Sequence, residues 1–115
     1  RVRTVLRLPP ALAPVKAASL PLSKKEVLAG PAQKLYAELA SEFMVDYDDT
    51  GSIGKRYRRQ DEIGTPYCIT VDFETVGDEN TPADHCVTIR ERDTMQQVRI
   101  PLDQVKSYLE EKVKF

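Results

Sequence analysis

The 115-residue chain has no tryptophan, one histidine, two cysteines and five glycines, and neither sign of charge dominates. With 17 lysines and arginines against 18 acids the formal charge is −1, so no bulk positive field is available to hold a polyanion and any nucleic-acid contact must be local. No run approaches the roughly 18 apolar residues of a membrane span, and no signal-peptide core follows Arg1. His85, Cys68 and Cys86 lack the paired spacing of a metal site, so no metal is expected. Each cysteine lies in a strand-like run, which favours two buried thiols over a disulfide. The glycines of GSIG (51–54) match neither GxGxxG nor GxxxxGK[ST], which removes the dinucleotide fingerprint and the phosphate loop. No serine elbow accompanies His85, so neither catalytic residues nor a cofactor are expected within the chain.

What remains is an ordinary folded domain. Hydrophobic residues make up 41% and charged residues 30%, too apolar for a disordered tail, and the length suits one core. The chain begins with Arg1 rather than methionine, so a piece of a longer protein is expected. Pro9, Pro10 and Pro14 oppose a helix over residues 1–14, which read as a tether from a preceding domain; residues 15–115 form the domain proper.

VKAASLPL (15–22) reads as a first strand. Ala32, Leu35, Tyr36, Leu39 and Phe43 recur at helical spacing, with Pro31 in the first turn. A short strand from Met44 to Tyr47 leads into a turn and a helix capped by Ser52 and Gly64, with Ile53, Tyr57 and Gln60 on one side. Gly54 within it suggests close backbone packing. Tyr67, Ile69, Val71 and Phe73 alternate as one apolar strand face, and residues 76–84 read as a mobile exposed loop. Val87 and Ile89 pair with Val98 and Ile100 as a hairpin turning at Asp93 and Thr94, and Leu102 to Phe115 closes as a helix. Strands joined through helices should run parallel and the hairpin antiparallel, which makes the sheet mixed.

Charge is concentrated in MVDYDDTGSIGKRYRRQDEIG. Asp46, Asp48 and Asp49 precede the turn, and Lys55, Arg56, Arg58 and Arg59 follow on the helix. The three aspartates suit a solvated turn better than a magnesium site. Guanidinium groups offer paired donors to phosphates and base edges. The competing reading is a solvated helix with Arg58 paired to Glu62 and Arg56 or Arg59 paired to a nearby acid. Arg90, Arg92 and Arg99 on the hairpin either extend a binding surface or pair with Glu91 or Asp93.

The runs DDTGSIGKRYRRQDEIGTPYCITVDF (48–73) and VTIRERDTMQQVRIPL (87–102), with APVKAASLPL (13–22), closely resemble the carboxyl-terminal anticodon-binding domain of glycyl-tRNA synthetases of the dimeric class II type. The GSIGxRYxRxDEIGTP pattern sets that family apart from its histidine, proline and threonine relatives. The resemblance implies an α/β fold of three layers, a five-stranded mixed sheet flanked by helices. It implies tRNA(Gly) as partner, contacted by candidates Ser52, Lys55, Arg56, Arg58, Arg59, Arg90 and Arg92. It further implies a catalytic domain on the same chain that uses ATP and Mg, a homodimeric parent, a cytoplasmic location and no membrane. Two alternatives stand beside it: a non-catalytic interaction domain of a synthetase-related accessory protein, and a small anion-binding α/β domain built on Ser52, Gly54 and Asp48.

Overall fold

Both faces of the central strands are buried, and this sets the architecture. The computed structural model describes residues 15–113, so the tether expected over 1–14 lies outside the described residues. The elements are β1 (Ala17–Pro21), α1 (Glu26–Ala40), β2 (Val45–Tyr47), α2 (Ile53–Ile63), β3 (Tyr67–Val71), α3 (Phe73–Val76), β4 (Cys86–Glu91), β5 (Gln97–Pro101) and α4 (Val105–Val113). They build a five-stranded sheet in the order β2-β1-β3-β4-β5. β1 runs parallel to β2 and β3, while β3–β4 and β4–β5 are antiparallel, as the mixed connections require.

Side-chain alternation divides the sheet into two unlike faces. Ala17, Tyr67, Ile69, Val71, Val87 and Ile89 point toward α1 and α4, where Leu28, Ala32, Leu35, Leu39, Val105 and Leu109 close one apolar core. On the opposite face the buried apolar residues among those described are Ala18, Leu20 and Cys68, covered by Ile53 and Tyr57 of α2. With α1 and α2 on opposite sides, the sheet is flanked by helices in three layers.

Several local expectations are corrected. α1 starts at Glu26, so Pro31 lies inside it rather than in its first turn. The proline withholds one N–H, from the carbonyl of the exposed Val27, and the Leu28–Ala32–Leu35–Leu39 stripe outweighs that loss. β3 ends at Val71, because Asp72 caps a short α3: its carboxylate accepts from Thr75 N at 3.1 Å, and Thr75 Oγ1 accepts from Asp72 N at 3.2 Å. Phe73 therefore leaves the strand face and is 45% exposed. A Cβ at Gly54 would meet nothing within 4 Å, so close packing does not explain that glycine. Both cysteines are free; Cys68 is buried, but Cys86 is only half-buried. The segment 77–84 is largely exposed yet tied down, with Asp78 Oδ1 accepting from Asn80 N at 2.8 Å and Thr81 N at 2.7 Å. Gly77 is required there: at φ 71° a Cβ would lie 2.4 Å from Ala83 N.

Candidate nucleic-acid interface

In an open α/β sheet, adjacent parallel strands whose following helices lie on opposite faces leave a crevice at their carboxyl ends, and ligands favour it. Here that crevice lies between β1 and β2, and the chain's own Arg56 fills it. The side chain is 2% exposed. Its guanidinium donates to the carbonyl oxygens of Pro21, Leu22 (3.1 Å), Asp48 (3.4 Å) and Ser52 (3.4 Å). One residue thus fastens the end of β1, the end of β2 and the start of α2.

The rest of the inward face of α2 is also internally bonded. Ser52 is the N-cap, its Oγ accepting from Lys55 N at 3.3 Å, and Gly64 is the left-handed C-cap at φ 85°. Tyr57 Oη shares a 2.6 Å hydrogen bond with Thr70 Oγ1. Gln60 is fully buried, donating to Asp46 at 2.9 Å and accepting from Thr65 Oγ1 at 2.7 Å. Burial pushes the Tyr57 hydroxyl upward and the Cys68 thiol to about 12, so both stay protonated against this face.

The seven expected contact residues fall into two groups. Arg56, Arg90 and Arg92 are buried. Arg90 lies 4.9 Å from the Tyr57 ring centroid and 3.3 Å from Asp61 Oδ1. Arg92 donates to the Gly64 carbonyl at 2.7 Å and to Asp93 at 2.9 Å, which places a cation at the carboxyl end of α2. Ser52, Lys55, Arg58 and Arg59 are exposed. Arg59 pairs with Asp48 and reaches the Thr50 carbonyl at 3.3 Å, yet stays 43% exposed. Arg58 and Lys55 have no ion pair among the described residues; the Arg58–Glu62 pair does not form, and Arg59 supplies the expected pair with an acid. These exposed cations lie on the first two turns of α2, just after the cap.

Spacing holds a signal for this division. Ile53, Arg56, Tyr57 and Gln60 recur three to four apart and share the sheet-facing side, whereas Lys55, Arg58, Arg59 and Glu62 fall outside it. The pairing of Arg99 has no such signal. It joins Asp72 (2.9 Å) and Asp84 (2.9 Å), not Glu91 or Asp93, because the ordered 77–84 segment brings Asp84 back to the sheet. Two other features escape the sequence pattern: Gln60 as a bridge between β2 and the α2 terminus, and the exposed Phe73 ring beneath Lys25 Nζ at 5.6 Å.

The family described as the anticodon binding domain matches residues 16–112. The glycine–tRNA ligase of Geobacillus kaustophilus (strain HTA426) is 63% identical over 113 residues, covering 98% of this chain and 23% of that protein. That of Bacillus anthracis is 62% identical over the same length, with the same shares covered. The chain thus spans about a quarter of the length of these curated relatives. Among solved structures, the RNA binding domain of threonyl-tRNA synthetase from Cryptosporidium parvum Iowa II superposes with a TM-score of 0.75 at 28% identity, covering 92% of this chain and 25% of that one.

Proposed function

The chain belongs to the anticodon binding domain family, and from that premise we propose that it is the tRNA(Gly) recognition module of a glycine–tRNA ligase. The observation that carries this reading is 63% identity to such a ligase over 113 residues, almost the whole chain. In the parent, a separate catalytic domain would activate glycine with ATP and Mg and join it to the tRNA; the parent would act as a homodimer in the cytoplasm. This domain would supply selectivity, with no cofactor of its own.

The RNA-facing residues are Ser52, Lys55, Arg58 and Arg59, on the cap and first two turns of α2. Lys55 and Arg58 offer charge with no internal ion pair among the described residues, and Arg59 presents the outer part of its guanidinium beside the 48–52 turn. Phosphates would take the lysine and fix orientation, while arginine forks would read or stack on unpaired bases. Arg56, Arg90 and Arg92 act one layer beneath, holding the helix at the height and angle at which the outer cations meet RNA. The net charge of −1 is no obstacle, because the contact is local.

The test is the triple variant K55A/R58A/R59A in the full-length protein, with tRNA(Gly) binding measured across a salt series. Expected are weaker binding, by about 1 to 3 kcal/mol for each base-reading arginine, and a salt dependence shallower by about one for each phosphate no longer neutralised. Affinity and salt slope both at the parent values would take α2 off the RNA surface.

A further inference from the structure

Met44, Ile63 and Met95, all exposed apolar residues, gather at one end of the sheet, the end opposite the start of α2. Met44 precedes β2, Ile63 is the last residue of α2, and Met95 lies in the β4–β5 turn; they are 64%, 43% and 65% exposed and belong to neither apolar core. Strand register sets them together, since Val45, Ala17, Tyr67 and Glu91 lie side by side across β2, β1, β3 and β4. The backbone beneath them is tied. Lys16 N donates to the Met44 carbonyl at 2.8 Å, Arg92 donates to the Gly64 and Pro66 carbonyls at 2.7 and 2.9 Å, and Met95 N donates to the Glu91 carbonyl at 2.8 Å.

Met95 has φ 60°, a conformation that suits glycine or asparagine, yet it carries a long apolar side chain into solvent. Charges beside the three residues are already engaged, Arg92 with Asp93 at 2.9 Å and Glu42 with Lys106 at 3.4 Å. Flexible methionines next to paired charges suit a partner that brings apolar surface.

The path of the chain selects the partner. β1 starts at this end, so whatever precedes Arg1 in the parent is joined here, through residues 1–14, which could span at most about 50 Å. This chain covers 23% of the Geobacillus kaustophilus ligase, so most of such a parent lies outside it. A body tethered this closely meets the end at an effective concentration of about a millimolar, and a modest apolar contact is then enough to hold it.

We propose that the end marked by Met44, Ile63 and Met95 is the surface on which the part of the parent preceding Arg1 docks. The proposal rests on the reading of the chain as a module of a longer ligase. Docked there, α2 becomes a strut of about 16 Å between that body and the exposed cations of its first turns, which fixes the tRNA contact relative to the rest of the enzyme.

The experiment uses the full-length protein without tRNA. The photo-crosslinking residue p-benzoylphenylalanine replaces Met44, Ile63 or Met95 in turn, and Val27, exposed at the opposite end, as the control. Expected are crosslinks within one chain, at monomer mass, to peptides upstream of Arg1 from the three positions and none from Val27. With the label at Met44, I63E/M95E should lower the yield about tenfold, because closing the contact would strip water from two carboxylates. The thermal midpoint should stay within a few degrees, as for other exposed sites; should that pair unfold the domain, M95E alone takes its place. Crosslinks at dimer mass overturn the proposal in favour of a second copy. No crosslink from the three positions, or as much from Val27, also overturns it. So does a yield that the glutamates leave unchanged, since the tether alone would then explain the proximity. The tRNA affinity of K55A/R58A/R59A is a separate readout, so either reading can fall while the other stands.

Discussion

The two faces of the sheet solve the same problem by opposite means. Toward α1 and α4, contacts are apolar and continuous, from Ala17 through Ile69 and Val87 to Leu109. Toward α2, three small or medium apolar residues are surrounded by buried Arg56, Gln60, Asp61 and Arg90, each engaged by hydrogen bonds or ring contacts. Apolar burial is non-directional and supplies most of the stability; a bonded fork such as Arg56 contributes less net energy but fixes positions and angles. The face that carries the exposed cations of α2 is the one built from directional contacts. Within GSIGKRYRRQDEIGTP, Ser52, Ile53, Arg56, Tyr57, Gln60 and Gly64 seat α2, while Lys55, Arg58 and Arg59 point outward.

The largest test of that contrast uses neighbours in one strand. Ile69 faces the apolar core and Cys68 faces α2, both nearly inaccessible. Ile69→Ala should cost about 2 to 5 kcal/mol by urea unfolding, since a cavity opens in a continuous core. Cys68→Ala removes one sulfur from a small cluster and should cost a clear fraction of that. Equal losses would mean that the faces do not differ in how they are held.

Next comes the polar lock. Arg56→Met keeps the apolar stem but donates nothing to the carbonyls of Pro21, Leu22, Asp48 and Ser52, and should cost about 1 to 3 kcal/mol. Arg56→Lys restores the charge as a single point and should recover part of the loss, because an ammonium cannot span acceptors set apart for a fork. Methionine matching the parent in both stability and tRNA affinity would show that the lock fixes nothing.

The same contrast explains what is legible in the sequence. The apolar face announces itself by period: Leu28–Ala32–Leu35–Leu39 along α1, and Tyr67–Ile69–Val71 along β3. The caps of α2 are equally local, since Ser52 and Gly64 act on backbone within a few residues. Arginines carry no such label. Arg56 and Arg58 are the same residue type two positions apart, one 2% exposed and the other in solvent, and only the phase of the helix separates them. The end of β3 is hidden for a related reason. Phe73 continues the alternation of apolar residues, but the Asp72–Thr75 capping box turns the backbone first.

The smallest effect is the most specific, because it concerns the edge of the sheet that α2 does not reach. Arg99 lies beside Thr88 at 3.1 Å and clamps Asp72 and Asp84, tying the 77–84 segment to β5. Partial burial works against the charge on Asp72, but hydrogen bonds from Arg99 and Thr75 outweigh it and hold its carboxyl below the usual range. The unfolded chain therefore takes up that proton first on acidification. Stabilisation from the clamp is complete above about pH 5 and is lost as pH falls through the lowered folded value. Asp72→Asn should flatten the acid limb of the stability curve by no more than about 1 kcal/mol, since the pair is partly solvated, and leave stability above neutrality nearly parallel to the parent's. Thr75 still finds an acceptor in the asparagine, so α3 keeps its cap. Unchanged acid sensitivity in Asp72→Asn would take this carboxylate out of the acid limb, and the open edge would then be held without help from its charge.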